Sequence, residues 1–362
     1  MNKNITLVIV LAVIIGTIYY LESTKIKIPT AITKGETIEA KEGRYQKAPE
    51  LVGIVGYLNG AEEGLKIADF RGKVVLIDFW TYTCINCIRT LPFLIEWDKK
   101  YGDNGLVIIG VHTPEFEFEK VKENVEAAIK KYGITYRVVQ DNDYATWSAF
   151  RNRFWPRKYL IDKDGFIRFD HIGEGAYEET EKMIQKLLAE TGQNVTEMPM
   201  AELLDITPRL RLTPELYAGY EFALPRGQNI GNPEGLQSEK VIEYKLPSTI
   251  KEDILYLEGK WKSNSNDLQA QGAVSIVLNF LANSVNIVIG PGSEGTEMEV
   301  FINDNYVSKE QAGSDVQFKN GKAVIVINGP RLYNIIKDAY GRYTLKLSIK
   351  STTFNFNAFT FG

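Results

Sequence analysis

Residues 78–94 read DFWTYTCINCIRTLPFL, and this stretch contains the only two cysteines of the 362-residue chain, Cys84 and Cys87. The continuous apolar run from Val74 to Trp80 predicts a central strand that is covered on both faces. Apolar residues recur at helical spacing after the cysteines, which predicts a helix that begins near Cys84. The sequence therefore places a CxxC motif where a buried strand passes into a helix.

The helix N-terminus gives this motif its expected chemistry. Unpaired N–H groups and the positive end of the helix dipole favour the thiolate of Cys84, and the thiolate is the nucleophile of thiol–disulfide exchange. Cys87 lies one turn further along the same face, where it can attack a mixed disulfide at Cys84. Asp78 lies inside the apolar strand, so burial should raise its pKa and suit it to act as acid or base for Cys87. A structural ion pair with a lysine is the alternative for this carboxyl group.

Three aromatic and proline positions are expected to contact a substrate. Trp155–Pro156 directly precedes a predicted strand, and a cis bond there would present the backbone of Trp155 beside the sulfur atoms, ready to bind an extended chain. X-Pro bonds are trans in roughly 95% of cases. Together with Trp80, at the end of the strand before the cysteines, Trp155 and Pro156 form the predicted substrate-binding set.

Two other kinds of site share parts of this pattern. A CxxC motif can be half of a zinc site, but the remaining ligands would have to be His112 and His171, which lie far apart in sequence, so no metal is expected. A thiol peroxidase of the peroxiredoxin type stays an alternative, because Thr81 stands three residues before Cys84. Four positions before Thr81, however, the chain has isoleucine where such a site would have proline. The expected redox group is the Cys84–Cys87 disulfide, without a cofactor.

The flanking patterns divide the chain into an α/β part and an all-β part. Strand-like runs alternate with amphipathic helices and predict a mixed sheet with helices on both faces. Short strands are expected at Leu51–Leu58 and Leu65–Phe70, and a helix at Phe118–Tyr132. From Val241 on, alternating runs separated by turn residues predict a sandwich of roughly eight strands. The expected segments are a membrane anchor at 1–22, a linker at 23–47, the α/β domain at 48–191, a connector at 192–240 and the β-sandwich at 241–362.

The first residues predict a location outside the cytoplasm. The stretch from Ile5 to Leu21 carries no charge and includes Tyr19 and Tyr20 near its end, which suits an uncleaved membrane anchor better than a cleaved signal peptide. We expect a single span with the N-terminus inside and the folded domains on the extracytoplasmic side of the cell membrane. The net charge of −4 argues against a nucleic-acid partner.

Four blocks of this sequence resemble the C-terminal periplasmic part of the DipZ family, membrane thiol–disulfide proteins linked to cytochrome c biogenesis. They are VVLIDFWTYTCINCIRTLPFL (74–94), VIIGVHTPEFEFEKVKENV (107–125), DNDYATWSAFRNRFWPRKYLIDKDGFIRFDHIGEGAYEETE (141–181) and FTFG (359–362). The resemblance implies an α/β thioredoxin-like fold of the TlpA kind, followed by an all-β jelly-roll sandwich similar to carbohydrate-binding domains. It also implies Cys84 as the attacking and Cys87 as the resolving cysteine, Asp78 as the buried acid of thioredoxins, and Pro156 as their cis-proline.

The expected partners follow from where the chain departs from that family. We expect the chain to carry a single anchor in place of the family's multi-helix, CcdA-like membrane domain, and therefore expect a separate CcdA-like membrane electron donor and protein thiols or disulfides as substrates. The dipeptide Ile85–Asn86 between the cysteines is uncharged and adds no stabilisation of a thiolate, which favours a reducing couple.

The function of the second domain is open at this stage. A β-sandwich can stack sugars on exposed aromatic side chains, so a cell-wall glycan is a candidate partner, and a glycan-binding module with an accessory redox domain is a further alternative. Aromatic residues at strand spacing are more often part of the core, and fold analogy alone does not license sugar binding. The aromatic candidates are Trp261, Tyr333, Tyr340 and Tyr343.

Overall fold

A computed structural model describes residues 36–351 and 353–362. Glu42–Gly362 form one compact unit, which contains both expected domains. The expected anchor at 1–22 and most of the linker at 23–47 lie outside the described residues. In the part of the chain that is described, no helix is long and apolar enough to cross a membrane.

The first domain is a mixed sheet with helices, in the element order that the sequence predicts. Its strands are β1 (Gly56–Leu58), β2 (Val74–Trp80), β3 (Leu106–His112), β4 (Arg137–Gln140), β5 (Arg157–Ile161) and β6 (Ile167–Ile172). The helices in this part of the chain are α1 (Ile38–Glu42), α2 (Ile85–Tyr101), α3 (Lys122–Tyr132), α4 (Ala145–Ala149) and α5 (Tyr177–Glu190). The strand order is β1-β4-β3-β2-β5-β6, with β2, β3 and β4 parallel and the other pairs antiparallel.

Strand β2 lies at the centre of this sheet, and all seven of its residues are buried. Successive side chains point to opposite faces. Leu76 and Trp80 pack against helices α2, α3 and α5, whereas Ile77 and Phe79 pack on the face that carries α4. The CxxC motif follows β2 directly, so it lies at the carboxyl end of the central strand, where α2 begins.

Local structure differs from the sequence expectation at three places. Of the expected strand at Leu51–Leu58, only Gly56–Leu58 is a strand, β1. The expected strand at Leu65–Phe70 is a short 3-10 helix, Ile67–Phe70. Its first N–H groups are bound by the carboxylate of Glu50, at 2.8 Å from Ile67 N and 3.0 Å from Ala68 N. The side chain that caps this turn comes from a distant part of the chain, so the local pattern did not reveal it.

The expected helix at Phe118–Tyr132 is divided. A 3-10 turn, Glu117–Lys120, precedes α3, and Val121 between them has an extended backbone with φ −71° and ψ 118°. The division separates the loop Thr113–Lys120 from helix α3, and that loop lies beside the cysteines.

The second domain is all-β. Its first short elements are β7 (Leu216–Tyr217) and the helix α6 (Tyr220–Ala223), which both lie in the segment expected to be a connector. Its other strands are β8 (Val241–Tyr244), β9 (Leu255–Ser263), β10 (Leu268–Ala270), β11 (Gly272–Ile289), β12 (Glu297–Ile302), β13 (Asn305–Tyr306), β14 (Gln317–Lys319), β15 (Lys322–Val326), β16 (Arg331–Ser351) and β17 (Asn355–Phe361).

Two long strands organise this domain. Strands β11 and β16 pair antiparallel along almost their whole length, and β11 also pairs with β9 and β17. The described strands are hydrogen-bonded in the order β14-β15-β12-β16-β11-β17-β10-β9-β8, around one continuous apolar core. Strand β7 joins this sheet by pairing with β17. The second half of the expected connector is therefore part of the β domain. The sequence did not reveal this, because a two-residue strand is too short to show a periodic pattern.

The two domains pack directly against each other. Val288 of β11 and Ala358 of β17 belong to the same buried apolar cluster as Cys87 and Trp97 of helix α2. The β domain therefore contributes to the core behind the CxxC motif.

Candidate active site

The two cysteines differ in exposure. Cys84 is the N-cap of helix α2 and is partly exposed, whereas Cys87 is only 1% exposed. The Sγ atom of Cys84 accepts the backbone N–H of Cys87 at 3.2 Å. Burial, together with the neighbouring Cys84, raises the pKa of the Cys87 thiol well above its ordinary value. The sulfur of Cys84 can be reached from solvent, whereas Cys87 is buried and its raised pKa favours the neutral thiol.

Asp78 lies behind the buried cysteine. It is 1% exposed, and burial raises its pKa to about 7, against the attraction of Lys158. Its charge is in turn one of the causes that raise the pKa of Cys87. The raised pKa agrees with the sequence expectation for this carboxyl group.

Lys158 is the cross-strand neighbour of Asp78, on β5. Burial lowers the pKa of its ammonium group, and the charges of Asp78 and Cys87 oppose that change. Its Nζ atom donates to the carbonyl of Gly173 at 3.2 Å. Lys158 therefore acts on Asp78 through the attraction between their charges, which opposes the rise in the pKa of Asp78 but does not cancel it. Sequence analysis did not identify Lys158, because it depends on the register between β2 and β5.

Trp80, the third residue of the predicted substrate-binding set, lies in the apolar core of the α/β domain. Its side chain is fully buried and points to the same face of β2 as Asp78. Gly110, opposite Asp78 on β3, leaves room for it: a Cβ atom there would lie 2.9 Å from Trp80 Nε1 and 3.1 Å from Tyr136 Cε2. The side chains of Trp80 and Tyr136 therefore pack against Gly110, beside Asp78.

The Trp155–Pro156 bond is cis, as the resemblance implied. Trp155 is partly exposed, whereas Pro156 is buried. The indole Nε1 of Trp155 donates to the carbonyl of Thr113 at 3.1 Å, and its ring packs on Trp147 at 4.3 Å between centroids. This fixes the indole beside the loop Thr113–Lys120.

The turn before Cys84 is tightly held. Thr81 is buried and lies 3.3 Å from Nε2 of His112 through its hydroxyl oxygen, and Tyr82 stacks on the same imidazole at 5.6 Å. Burial lowers the pKa of His112 to about 3, so this imidazole is neutral at physiological pH. Thr81, the residue on which the peroxidase alternative rests, is therefore engaged with His112.

Arg89 is a site residue that sequence analysis missed. Its guanidinium makes two hydrogen bonds of 2.7 Å to the carboxylate of Glu174 and one of 2.7 Å to Asn86, inside the CxxC motif. The side chains of Arg89 and Glu174 are only 9% and 12% exposed. An arginine shortly after the motif, in a helix whose neighbouring positions are apolar, was the available signal.

The β domain reaches the loop Thr113–Lys120. The hydroxyl of Tyr217 donates to Glu115 at 2.8 Å, and Phe222 packs on Phe116 at 5.1 Å between centroids. Arg226 lies 3.5 Å from the carboxylate of Glu115. Burial, with the nearby Glu215 and Glu119, raises the pKa of Glu115 to about 8. The same loop therefore contacts Trp155, the turn before Cys84 and the β domain.

Comparison with known proteins places this site in a family. Residues 46–188 match the family model described as Redoxin, and residues 213–362 match the one described as Thioredoxin like C-terminal domain. The chain is 32% identical over 146 residues to the thiol-disulfide oxidoreductase YkuV of Bacillus subtilis, of which the match covers 97%, and 40% of this chain. This chain belongs to the thioredoxin-like thiol-disulfide oxidoreductases. A second member, the thiol-disulfide oxidoreductase ResA of Geobacillus thermodenitrificans, is 30% identical over 166 residues, 46% of this chain and 83% of that protein.

The resemblance of this oxidoreductase to DipZ is confirmed. It is 42% identical over 252 residues to protein DipZ of Mycobacterium tuberculosis, which is 67% of this chain and 35% of that protein. The chain thus spans about a third of the length of the DipZ proteins it matches. The thioredoxin-like fold and the all-β second domain that the resemblance implied are both present.

The described part of this oxidoreductase contains no cluster of three or more His, Cys, Asp or Glu residues that could hold a metal ion. In its β domain, two of the four aromatic candidates for sugar stacking are core residues. Trp261 and Tyr333 are fully buried and donate to the carbonyls of Glu258 and Gly329. Tyr340 is 41% exposed.

Proposed function

We propose that this protein is a membrane-anchored thiol–disulfide oxidoreductase that reduces disulfides of protein substrates outside the cytoplasm. The observation that carries the proposal is the pair formed by the partly exposed Cys84 and the buried Cys87, with 3.2 Å between the first sulfur and the second backbone nitrogen. Exchange needs one thiol that a substrate can reach and a second that can reach the first.

The reaction takes two steps. The thiolate of Cys84 attacks one sulfur of a substrate disulfide, which forms a mixed disulfide and releases one substrate thiolate that takes up a proton. Cys87 then loses its proton and attacks the Sγ atom of Cys84, which forms the Cys84–Cys87 disulfide and releases the second substrate thiolate. Two electrons pass to the substrate, and an external dithiol must return two electrons before the next cycle.

Asp78 is the proposed base of the second step. The pKa of Cys87 is raised by burial, so its thiol does not ionise readily in neutral solution. A carboxyl group with a pKa of about 7 can take that proton and release it again near neutral pH. Lys158 would compensate the charge that Asp78 carries before it accepts the proton.

Trp155 and Pro156 are the proposed contacts for the substrate chain. Trp155 and Pro156, joined by a cis bond, directly precede β5, and the indole of Trp155 is anchored to the carbonyl of Thr113. Extended peptides bind such backbone edges through main-chain hydrogen bonds. Sequence preference would then come from the loop Thr113–Lys120 and the β domain beside it.

The proposal also concerns the direction of electron flow and the protein that supplies the electrons. The uncharged Ile85–Asn86 and the buried Cys87 favour a reducing couple. We propose a separate CcdA-like membrane protein as the electron donor, a span at 1–22 as the anchor and, from the similarity to DipZ, a role in cytochrome c biogenesis or disulfide repair.

A trapping experiment tests this function. The Cys87→Ser variant is mixed with a peptide that contains one disulfide, and the products are analysed by non-reducing mass spectrometry. We expect a stable mixed disulfide between Cys84 and one cysteine of the peptide, because the second step cannot occur. The matched Cys84→Ser variant should form none, and an adduct on Cys87 or no adduct at all would contradict the proposal.

Glycan binding by the β domain stays a separate hypothesis. Its support is the exposed Tyr340, since two of the other aromatic candidates are buried. A glycan array probed with the full chain, with Tyr340→Ala as control, tests it. Absence of any bound glycan would leave the domain as a structural partner of the redox domain.

A further inference from the structure

Glu119 is a fully buried carboxyl group that the exchange steps do not use. Its Oε2 atom accepts the backbone N–H groups of Glu115 at 2.5 Å and Phe116 at 2.9 Å. Its Oε1 atom accepts the hydroxyl of Thr83. All three hydrogen bonds are donated to Glu119, and an ionised carboxylate is a group that only accepts.

The hydrogen bond to Thr83 brings this charge next to the redox centre. Thr83 is buried and immediately precedes Cys84, whose N–H closes the turn by donating to the carbonyl of Thr81 at 3.3 Å. Glu119 therefore joins the loop Thr113–Lys120 to the turn that carries the exposed sulfur.

A buried negative charge acts differently on the two redox states of the pair. It disfavours a nearby thiolate, which the reduced form can carry, but not the uncharged disulfide of the oxidised form. Burial raises the pKa of Glu119, and the hydrogen bonds from Thr83 and from the N–H of Phe116 oppose that rise. The donors thus favour the ionised form of Glu119 in a place where burial opposes it.

We propose that Glu119 is a positioning residue that acts through Thr83 on Cys84 and makes the Cys84–Cys87 pair more reducing. The inference rests on the proposed function only in taking Cys84 as the reactive thiol of the pair. It assigns to a carboxyl group outside the CxxC motif a part in setting the redox equilibrium.

The charged and titratable groups around Glu119 come from several elements. Tyr82, on the turn before the cysteines, and Tyr144, before helix α4, both interact with its charge. Glu115 of the same loop is the nearest second carboxyl group. The β domain supplies groups that reach Glu115, namely Glu215, Tyr217 and Arg226.

The test compares Glu119→Gln with Glu117→Gln in the full chain. A glutamine can keep the bonds to the two N–H groups through its oxygen and can donate to Thr83 through its amide, so this variant loses the charge and keeps the shape. Glu117 lies on the same loop, but its side chain is 71% exposed and pairs with Lys120. It is therefore the matched control for loss of one negative charge.

The first measurement is the equilibrium of each variant with glutathione redox buffers. For Glu119→Gln we expect the equilibrium constant to move toward the dithiol form by roughly threefold to tenfold, the size of a partly screened charge at short range. Glu117→Gln should match the unmodified chain. The proposal is overturned if Glu119→Gln matches the control, or if it moves the equilibrium toward the disulfide.

The second measurement is the rate at which iodoacetamide alkylates Cys84 as a function of pH, in a Cys87→Ser background. Glu119→Gln should react faster at neutral pH by a similar factor. Thr83→Val removes a donor that stabilises the charge and should change the rate in the same direction, whereas Thr83→Ser keeps the hydroxyl and should not. Equal rates for the valine and serine variants would overturn the route through Thr83. Both measurements use small reagents, so a failure to reduce protein disulfides would contradict the proposed function alone.

Discussion

The two domains bury different kinds of polar side chains. In the α/β domain, the described buried groups include carboxyl, ammonium and imidazole side chains. In the β domain, the buried polar side chains that the structure describes are all neutral hydroxyls and amides. The first set is Asp78, His112, Glu119, Asp141, Lys158, Asp162 and Glu181. The second set is Thr213, Asn232, Ser263, Ser275, Asn286, Ser293, Thr296, Asn357 and Thr360.

This difference shows that the free-energy cost of burying ionisable side chains falls on the α/β domain. Burying an ionisable group costs free energy unless it is paired or neutralised, and such groups cluster where proton transfer is useful. Four of the seven ionisable groups lie near the cysteines: Asp78 and Lys158 behind Cys87, and His112 and Glu119 around the preceding turn. The buried polar side chains described in the β domain carry no such charge.

The largest effect should come from the cysteines themselves. Cys84→Ser should lower the rate of protein disulfide reduction by at least about 1,000-fold, because no other exposed thiol is present to attack. Insulin reduction in the presence of dithiothreitol measures this rate. Hydrogen peroxide consumption is measured in parallel, and rapid consumption that needs Cys84 and tolerates Cys87→Ser would favour the peroxidase alternative instead.

The second effect concerns Asp78. Asp78→Asn keeps the shape of the side chain but cannot accept the proton of Cys87, so resolution of the mixed disulfide should slow by about 100-fold, the lower end of what a general base contributes. Rapid mixing with a fluorescent peptide disulfide separates this step from the first one. Equal slowing of the first step, attack by Cys84, would contradict the assigned role.

The third effect is a pair of opposite pH dependences of stability. The folded-state pKa of Asp78, about 7, lies above the ordinary value of 3.8, so the folded protein binds a proton more tightly than the unfolded chain does. Its contribution to the free energy of unfolding is therefore present below pH 4 and is lost as pH rises to 7, by on the order of 4 kcal/mol. His112 has a folded-state pKa of about 3 against 6.5, so its contribution is present above pH 6.5 and is lost as pH falls to 3.

Difference measurements separate these two groups. The free energy of unfolding of Asp78→Asn minus that of the unmodified protein should rise between pH 4 and 7, whereas the corresponding difference for His112→Asn should rise as pH falls from 6.5 to 3. Urea titrations at several pH values measure both, with Glu117→Gln as a flat control. A flat difference for Asp78→Asn would show that the buried carboxyl does not carry the shifted pKa.

The fourth effect tests the space around Asp78. Gly110→Ala places a methyl group 2.9 Å from Trp80 Nε1 and should destabilise the protein by about 1–3 kcal/mol. Gly102→Ala is the matched control, since nothing lies within 4 Å of a Cβ atom there, and its backbone is right-handed helical. That variant should be neutral or stabilising by up to about 1 kcal/mol. Equal thermal midpoints for the two variants would contradict the tight packing.

The smallest effect compares two tyrosines of the β domain. Tyr217→Phe removes the bond to Glu115 in the loop beside the cysteines, whereas Tyr333→Phe removes a bond of 2.7 Å to Gly329, inside its own domain. Each should cost about 1 kcal/mol of stability. Only Tyr217→Phe should change the rate of protein disulfide reduction, by roughly twofold to fivefold. If Tyr333→Phe also changed the rate of protein disulfide reduction, the effect could not be assigned to the contact between Tyr217 and the loop beside the cysteines.

Sequence patterns predicted the parts of this molecule that depend on neighbouring residues. The apolar run of β2, the helix after it and helix α5 are visible as local periodicity. Position in an apolar strand was also enough to predict a raised pKa for Asp78. Sequence reasoning placed Trp80 in the substrate-binding set, whereas the structure buries its side chain on the same face of β2 as Asp78.

The rest of the site depends on contacts between distant segments. Lys158 meets Asp78 only through the register of two strands, and Glu119 meets Thr83 only because the loop after β3 folds back on the turn after β2. Strand β7 is too short to have a pattern, and its pairing with β17 appears only in three dimensions. Such contacts carry no local signature, so a single sequence does not reveal them.

The reduction potential of the Cys84–Cys87 pair tests the central claim most directly. The purified full chain is equilibrated with dithiothreitol or glutathione buffers, and the fraction of dithiol is determined by alkylation and mass spectrometry, with the two single serine variants as references. We expect a potential near that of thioredoxin, roughly −270 mV. A value near −120 mV would make the protein an oxidant, and the absence of an intramolecular disulfide at any potential would contradict the exchange mechanism itself.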